Sequence, residues 1–483
     1  MNTPFFNIIW HSLAFLFIFT SYNTIAALVQ RVLLDYQKET ALSQTPFTGI
    51  DGYLSCVLVY LTYGISNWLA PMFIKKFSAR FSMLIGSIFY ITYLLAFIYP
   101  NTTILWIFSI LLGFGAALVW TGQGVFLSIN SNDKNIDRNS SIFFTIENST
   151  MIWGNIYLFY IWKGADRITS EIRIPFFIIF SVIMAIGSVL LVFLRKWPIE
   201  EKESNAVDDD EIKPIKTNID KITSNSYSSS SFDAFKQALL LVTTPNMLKN
   251  WIPFFCAGIS QTFVTVVFPT MVGHCKTFGT DSDRLIGIVM IVSGFGMVLG
   301  SSIWTPINRM VLKNDKSTPL FSRRCIINIG TLAFLIASVL ICTLMPEDSP
   351  IKTTEKNTGN VKIFSLFSTK QVTFPLACLM MFLISFADSC LRVQILTYIG
   401  WYYQKLPAPG FAIYHSLRSI FCGISFMYAK QVLWIQILIL VLVYIAAAGC
   451  FYNLEHKKKM GEKKEKEGET KVPELELLEK LKI

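Results

Sequence analysis

The sequence predicts an all-α integral membrane protein with about twelve transmembrane helices in two pseudo-symmetric six-helix bundles. Three observations predict it. Roughly twelve apolar stretches recur between Phe5 and Tyr452, each long enough to cross a ~30 Å hydrocarbon core as a helix. Hydrophobic residues make up 53% of the 483-residue chain and charged ones only 15%, a balance that would leave a water-facing surface uncovered. A polar, charged segment divides the stretches into two equal sets. Barrel strands would alternate apolar and polar side chains. Leu105 to Ile129 and Trp434 to Tyr452 are instead apolar almost throughout and read as helices.

In order, the spans fall at 5–29, 52–74, 81–99, 103–129, 140–162, 173–194, 248–272, 284–308, 325–345, 372–397, 409–428 and 433–453. The first has no basic region before it and runs past Thr20 without a small-residue cleavage site, which predicts a retained span. The first six make an N-terminal bundle over 1–195. Residues 196–247 read as a disordered cytoplasmic linker, because Glu200, Glu201, Asp208, Asp209, Asp210 and Glu211, followed by the run Ser228 to Ser231, cannot build a core. Phe235, Leu239 and Val242 share a helical face, so 232–241 is either a short surface helix or a loop. The second six spans occupy 248–454, and a charged cytoplasmic tail, read as disordered, occupies 455–483.

Loop charge sets orientation. Lys75, Lys76 and Arg80 place the loop after the second span in the cytoplasm, and alternation brings Arg195-Lys196, the loop from Arg309 to Arg324, the Lys457 to Lys459 run and both termini to that side. This distribution explains the net charge of +10 by the lipid bilayer, with no nucleic-acid partner. Asn101-Thr102-Thr103 faces the other side as a glycosylation sequon, but so near the membrane that Asn101 is expected unmodified; the sequon at Asn139 falls on the cytoplasmic side. The nine cysteines lie mostly within spans and show no CxxC spacing, so neither a disulfide framework, a metal site nor a cofactor is predicted.

Six helices, a cytoplasmic link and six more, with both ends inside, is the layout of a major facilitator superfamily fold, which encloses a cavity at the membrane midplane. Internal correspondences are sparse: Gln123 in the fourth span with Gln394 in the tenth, and Gly154 in the fifth with Gly423 in the eleventh. The stretch Gly113-Phe114-Gly115-Ala116-Ala117-Leu118-Val119-Trp120-Thr121-Gly122-Gln123-Gly124, then Ile129-Asn130-Ser131, resembles the fourth-span signature of the unc-93-like family, a branch of that superfamily. The resemblance continues through Arg138 to Phe143, Gly154 to Tyr157, Ala387-Asp388-Ser389-Cys390, Gln394, Ile399-Gly400 and Pro409 to Tyr414. It extends over essentially the whole chain and is greatest to the branch grouped with major facilitator domain-containing protein eleven. The resemblance implies a transporter-like fold without an agreed substrate; other branches imply regulators of potassium channels or trafficking chaperones of receptors. It also implies that Asp388 belongs to the family pattern, whereas Glu147, Arg392 and Arg418 do not. One departure counts against ordinary alternating access: where typical superfamily transporters carry Gly-x-x-x-Asp, neither Ala70 to Phe77 nor Gly300 to Arg309 contains an acid.

Candidate cavity residues are Trp120, Gln123, Asn130, Asp388 and Gln394. Gln123 either hydrogen-bonds a neighbouring helix or lines the cavity, and Trp120 either walls a solute site or packs. Gly113, Gly115, Ala116 and Ala117 offer a small-residue face for close helix approach. An ionisable group at the bilayer centre costs on the order of 2.5 to 3.5 kcal/mol on insertion scales, which makes His11, Glu147, Asp388, Arg392, His415 and Arg418 functional candidates. Asp388 and Arg392 share a face four residues apart, and Arg418 reaches similar depth from the next span. Two arrangements are open: Glu147 and Asp388 neutralise Arg392 and Arg418 in an ion cluster between the bundles that stabilises one state of a gate, or Arg392 snorkels to the interface and Arg418 pairs locally. His11 and His415 either relay protons or are neutral and hydrogen-bonded. No GxSxG, HExxH or phosphate-binding loop is present, so no catalytic residue and no enzyme is predicted. Two functions follow: a secondary carrier of an unknown small solute, or a non-transporting accessory subunit of an ion channel, such as a potassium channel, or a chaperone of a membrane receptor.

Overall fold

Wherever the chain is apolar its described residues are helical, and several helices break where a backbone hydrogen bond cannot form. The computed structural model describes residues 3–26, 28–40, 52–132, 134–161, 168–195, 231–275, 278, 282–312, 321–350, 373–404, 406–428 and 431–466. The first half comprises α1 (Thr3–Ala26), α2 (Val29–Thr40), α3 (Gly52–Ser66), α4 (Ala70–Phe77), α5 (Ala79–Leu95), α6 (Thr102–Ile129), α7 (Ile136–Asn148), α8 (Thr150–Ile161) and α9 (Ser170–Val192). The second comprises α10 (Ser231–Val242), α11 (Pro245–Thr262), a π-helical turn at Phe263–Val267, α12 (Phe268–His274), α13 (Ser282–Ser302), α14 (Trp304–Leu312), α15 (Arg323–Leu344), α16 (Phe374–Tyr402), α17 (Pro407–Tyr428) and α18 (Leu433–Lys466).

Among the described residues, 8 helices are long and apolar enough to cross a membrane, or 9 when the bent pair α3 and α4 counts as one span. The remaining expected spans are α5 with 17 residues, α7 and α8 broken at Ser149, and α17 with its buried His415 and Arg418. Proline explains three interruptions. Pro71 has no N–H for the carbonyl of Asn67, and α3 meets α4 at 64°. Pro269 cannot bond to Thr265, within the π turn, and Pro306 cannot bond to Ser302, where α13 gives way to α14.

The two halves repeat one pattern of contacts. In the first, α1 packs on α9 and α8, α6 on α3 and α5, and α5 on α9. In the second, α11 packs on α18 and α17, α16 on α13 and α15, and α15 on α18. The seams between halves are exchanged in the same way, α3 against α17 and α7 with α8 against α13. Structural pseudo-symmetry is therefore plain where the sequence shows little of it. Glycines allow the closest approaches: a Cβ at Gly113 would stand 2.6 Å from the Val59 carbonyl oxygen, and one at Gly300 2.7 Å from that of Phe386. The suggested equivalence of Gly154 and Gly423 fails, because Gly154 is pressed against Thr24 and Thr20 while Gly423 has nothing within 4 Å.

Three further expectations change. The first span stops at Ala26, and a separate amphipathic helix, α2, follows it. The linker is not wholly irregular, since α10 forms and packs against α4 and α17, bridging the halves; residues 196–230 lie outside the described ones. The last helix runs on to Lys466, so the part of the tail from 455 to 466 is helical, and 467–483 lie outside the described residues. The stretch Ala70–Phe77 that lacks the expected acid is helix α4, and just after it, in α5, Arg80 Nη1 donates to the Leu194 carbonyl at 2.6 Å.

Helix α2 is fastened to the start of α9 by carboxylates. Asp35 accepts from the Ile168 N–H at 3.0 Å, Glu39 accepts from the Ser170 N–H at 3.1 Å, and Arg173 pairs with Glu39 at 3.0 Å. Hydrogen bonding from Ser170, then the Arg173 guanidinium, holds the Glu39 carboxyl below the usual carboxylate range. A depressed folded pKa adds stability that is complete above the unfolded pKa and disappears as pH falls through the folded one. The hydrogen-exchange protection of α2, taken relative to the intrinsic rate at each pH, should therefore fall as the pH drops below the ordinary glutamate range, and Glu39→Gln should flatten that response; equal pH profiles would refute the attachment. Gly113→Leu should destabilise by about 1–3 kcal/mol through overpacking, whereas Gly423→Ala should be neutral or stabilise by up to about 1 kcal/mol, both read as melting temperature in detergent.

Candidate functional site

Three charged side chains and one asparagine meet between the halves. Glu147 is eleven residues into α7, Arg392 ten before the end of α16 and Arg418 eleven into α17, so each lies about 15 Å from its helix end. At that depth a charge must face either a partner in the protein or a polar cavity. Arg392 Nη1 is 3.4 Å from Glu147 Oε2, its Nη2 donates to Asn148 Oδ1, and its Nε is 4.0 Å from Asp388 Oδ2. The Asn148 amide donates onward to the Met297 carbonyl at 3.3 Å and to Ser389 Oγ at 3.2 Å. Asp388 accepts from Ser260 Oγ at 2.7 Å, which leaves Tyr444, 2.7 Å from the same Oγ, as the donor to Ser260. Glu147 and Asn148 belong to the first half and the rest to the second, so this network crosses the seam.

Beside it is a cavity of about 80 Å³. Its walls include Glu147, Asp388, Arg392 and Arg418, with Gln261 and Thr265 next to and within the π turn, and the aromatic rings of Phe19, Tyr22, Tyr60, Tyr63, Tyr90 and Trp120. The Trp120 ring is 4.6 Å from that of Phe19, so Trp120 both packs and lines. The network and cavity are closed off towards the ends of α6 and α16: Gly124 lies against Phe411, and a Cβ at Gly400 would stand 3.0 Å from Ser128 Oγ. An exposed pair, Arg323 with Asp137 at 2.9 Å, joins the halves at the same end.

Of the sequence candidates, Trp120 and Asp388 line the cavity, and Glu147, Asp388 and Arg392 come together. Arg392 does not snorkel; its side chain is 9% exposed and turned inward. Arg418 shares the cavity but makes no ion pair with either carboxylate among the described residues. Gln123, Asn130 and Gln394 are not among the residues lining this cavity. Asn130 caps the end of α6 and accepts from Asn7 Nδ2 at 2.8 Å, a bond that ties α1 to α6. Gln123 is fully buried with no partner for its amide among the described residues, and Gln394 is buried on α16. His11 makes no hydrogen bond among the described residues and is enclosed by the rings of Phe15, Phe126 and Phe143. Asn101 Oδ1 caps α6 by accepting from the Thr103 and Ile104 N–H groups. Sequence reasoning missed Asn148, Ser260 and Tyr63, although Asn148 adjoins Glu147 and so could have been noted.

The fold and its polar seam define an integral, multi-pass membrane protein with the major facilitator fold. The E. coli fucose:proton symporter FucP superimposes with a TM-score of 0.58 over 93% of this chain and 99% of the symporter, at 11% identity, and a structure of FucP in the outward conformation gives 0.57 at 12% identity. Residues 44–452 match the model of the family described as ion channel regulatory protein UNC-93. The chain belongs to the UNC-93 family. It is 32% identical to the UNC93-like protein MFSD11 of Xenopus laevis, over 93% of this chain and 95% of that one, and 31% identical, with the same coverage, to that of Xenopus tropicalis.

A double-mutant cycle tests the seam. Glu147→Gln or Arg392→Gln alone should destabilise by about 3–5 kcal/mol, each leaving the other charge buried and unpaired. Their coupling should reach about 0.5–3 kcal/mol and exceed that between Glu147 and Arg418. Equal couplings would show that Glu147 does not distinguish the two arginines.

Proposed function

We propose that this protein is a secondary carrier that moves a small solute by alternating access. The two bundles, 1–195 and 248–454, rock about the cavity between them, with both termini and the Lys75–Arg80 loop in the cytoplasm. The observation that carries this reading is the Glu147–Arg392–Asp388 network, which spans the seam beside an aromatic-walled cavity. Ion pairs between rigid bodies hold one state, and a solute bound differently in the two states shifts the balance. In this reading Glu147, Asp388 and Arg392 latch the state whose α6 and α16 ends are closed, and Trp120 and Asp388 face the solute.

The alternative is a non-transporting regulator of an ion channel or a chaperone of a receptor. The family's description and the missing acids in the two gating loops favour it. The buried cavity and its charges favour the carrier, because a scaffold acting through its lipid-facing surface has no use for ionised groups at its centre.

A solute screen by thermal shift on the purified chain separates the two. A ligand at a hundredfold excess over its Kd should stabilise by about 2.7 kcal/mol, and Asp388→Asn should lose the response. Liposomes containing the protein should then take up that solute down an imposed gradient. A membrane partner co-purifying in fixed ratio, with no solute responding, would overturn the carrier reading.

A further inference from the structure

Among the described residues one buried guanidinium makes neither an ion pair nor a hydrogen bond. Arg418 is 8% exposed and lines the cavity from α17, yet its guanidinium has neither ion pair nor hydrogen bond among the described residues. The nearest ring is that of Tyr414, with the guanidinium carbon 5.9 Å from its centroid. Both carboxylates of the seam are turned to Arg392 instead. Leaving a buried cation uncompensated is among the more destabilising things a fold can do. Such a group persists where something outside the chain completes it.

A second unsatisfied donor faces the same space from the opposite half. The Tyr63 hydroxyl on α3 is buried and has no hydrogen-bond partner among the described residues, and Tyr63 lines the cavity with Arg418. The two helices are held in contact there: Ser416 Oγ donates to the Gly64 carbonyl at 2.8 Å, and a Cβ at Gly64 would stand 3.1 Å from Ile420. A guanidinium fork and a phenol O–H converging on one cavity are completed by a group that only accepts hydrogen bonds and carries negative charge. A carboxylate does this, taking two parallel N–H bonds from Arg418 and one O–H bond from Tyr63. A guanidinium that makes neither ion pair nor hydrogen bond among the described residues suits a monoanion, and the aromatic walls suit an apolar body behind the charge.

We propose that Arg418 and Tyr63 form the head-group site for a small organic carboxylate. The anion neutralises Arg418 of one bundle while accepting from Tyr63 of the other, so its binding draws α3 and α17 together. The site stands on geometry alone; only its use in transport rests on the carrier reading.

The test is a thermal-shift series on the purified full-length chain, from acetate to benzoate at constant ionic strength, each acid set against its neutral amide. At least one carboxylate should raise the melting temperature saturably while its amide does not. Arg418→Gln should abolish that shift and leave the ligand-free melting temperature unchanged or higher, since it removes a buried unpaired charge. Tyr63→Phe should weaken the responding carboxylate on the order of tenfold without altering the ligand-free protein. Equal shifts from acid and amide would overturn the proposal, as would an Arg418→Gln protein that keeps the shift or melts lower without ligand. If Arg418→Gln does not fold, Arg418 has a structural role and the proposal fails. Carboxylate binding without gradient-driven uptake into liposomes would sink the carrier reading but not the site; uptake of a neutral solute with no carboxylate binding would do the reverse.

Discussion

The architecture depends on how one buried arginine is satisfied. Arg392 lies about fifteen ångströms from the end of α16, too deep for its guanidinium to reach water. Its own helix supplies Asp388 at 4.0 Å, and the opposite half supplies Glu147 at 3.4 Å together with the carbonyl of Asn148. An ion pair in low dielectric contributes only when the remaining lone pairs and protons are also bonded. Ser260 and Tyr444 complete Asp388, and Met297 and Ser389 complete Asn148. The seam at mid-depth is thus fixed by polar geometry, and further polar contacts cross it elsewhere, Ser141 Oγ donating to the Ser301 carbonyl at 2.6 Å and Arg323 pairing with Asp137 at 2.9 Å.

Within each half the closest contacts rest on the absence of side chains. In lipid, helices gain nothing by hiding hydrocarbon from hydrocarbon, so close approach through small residues carries association. Gly86 and Gly115 lie against each other's backbone, Gly113 against α3, and Gly296 and Gly300 against α16. The matching pair of seams, α3 on α17 and α7 with α8 on α13, gives the two halves equivalent surfaces from dissimilar sequences. Packing rules, and not residue identity, preserve the symmetry.

Helix existence was legible because a membrane span declares itself by length and apolarity alone, and the ionisable groups were legible because each is an anomaly in such a span. Azimuth was not. A polar residue in an all-round apolar helix carries no periodic signal about which neighbour it faces, and Gln123, Asn130 and Gln394 were assigned to the cavity on polarity alone. Asn130 illustrates the difficulty: its partner, Asn7, is 123 residues away, and nothing local to either announces the bond. Asn148 and Tyr63 were missed for the converse reason, since neutral side chains raise no alarm in a sequence. The linker helix α10 was half legible, its apolar face visible but its docking surface, α4 and α17, formed only by the fold.

The two central arginines show why burial by itself does not assign a role. Both sit at the same depth and both border the same cavity, yet one is surrounded by acceptors and the other by none among the described residues. A paired cation is satisfied without help and resists separation of the halves. An unpaired one lowers the stability of the empty protein and so makes the arrival of an anion favourable. The position of the pair matters as well, because α7 breaks at Ser149, immediately after Glu147 and Asn148, where Ser149 Oγ turns back to the Ile146 carbonyl at 2.7 Å. A helix interrupted beside its ion pair bends at lower energy than a continuous one. Across the cavity the π turn at Phe263–Val267 puts a second irregularity next to Gln261 and within reach of Thr265. Each half therefore brings to the centre one deformable helix, the first with Glu147 and the second with both arginines, and a structure built only for rigidity would need neither.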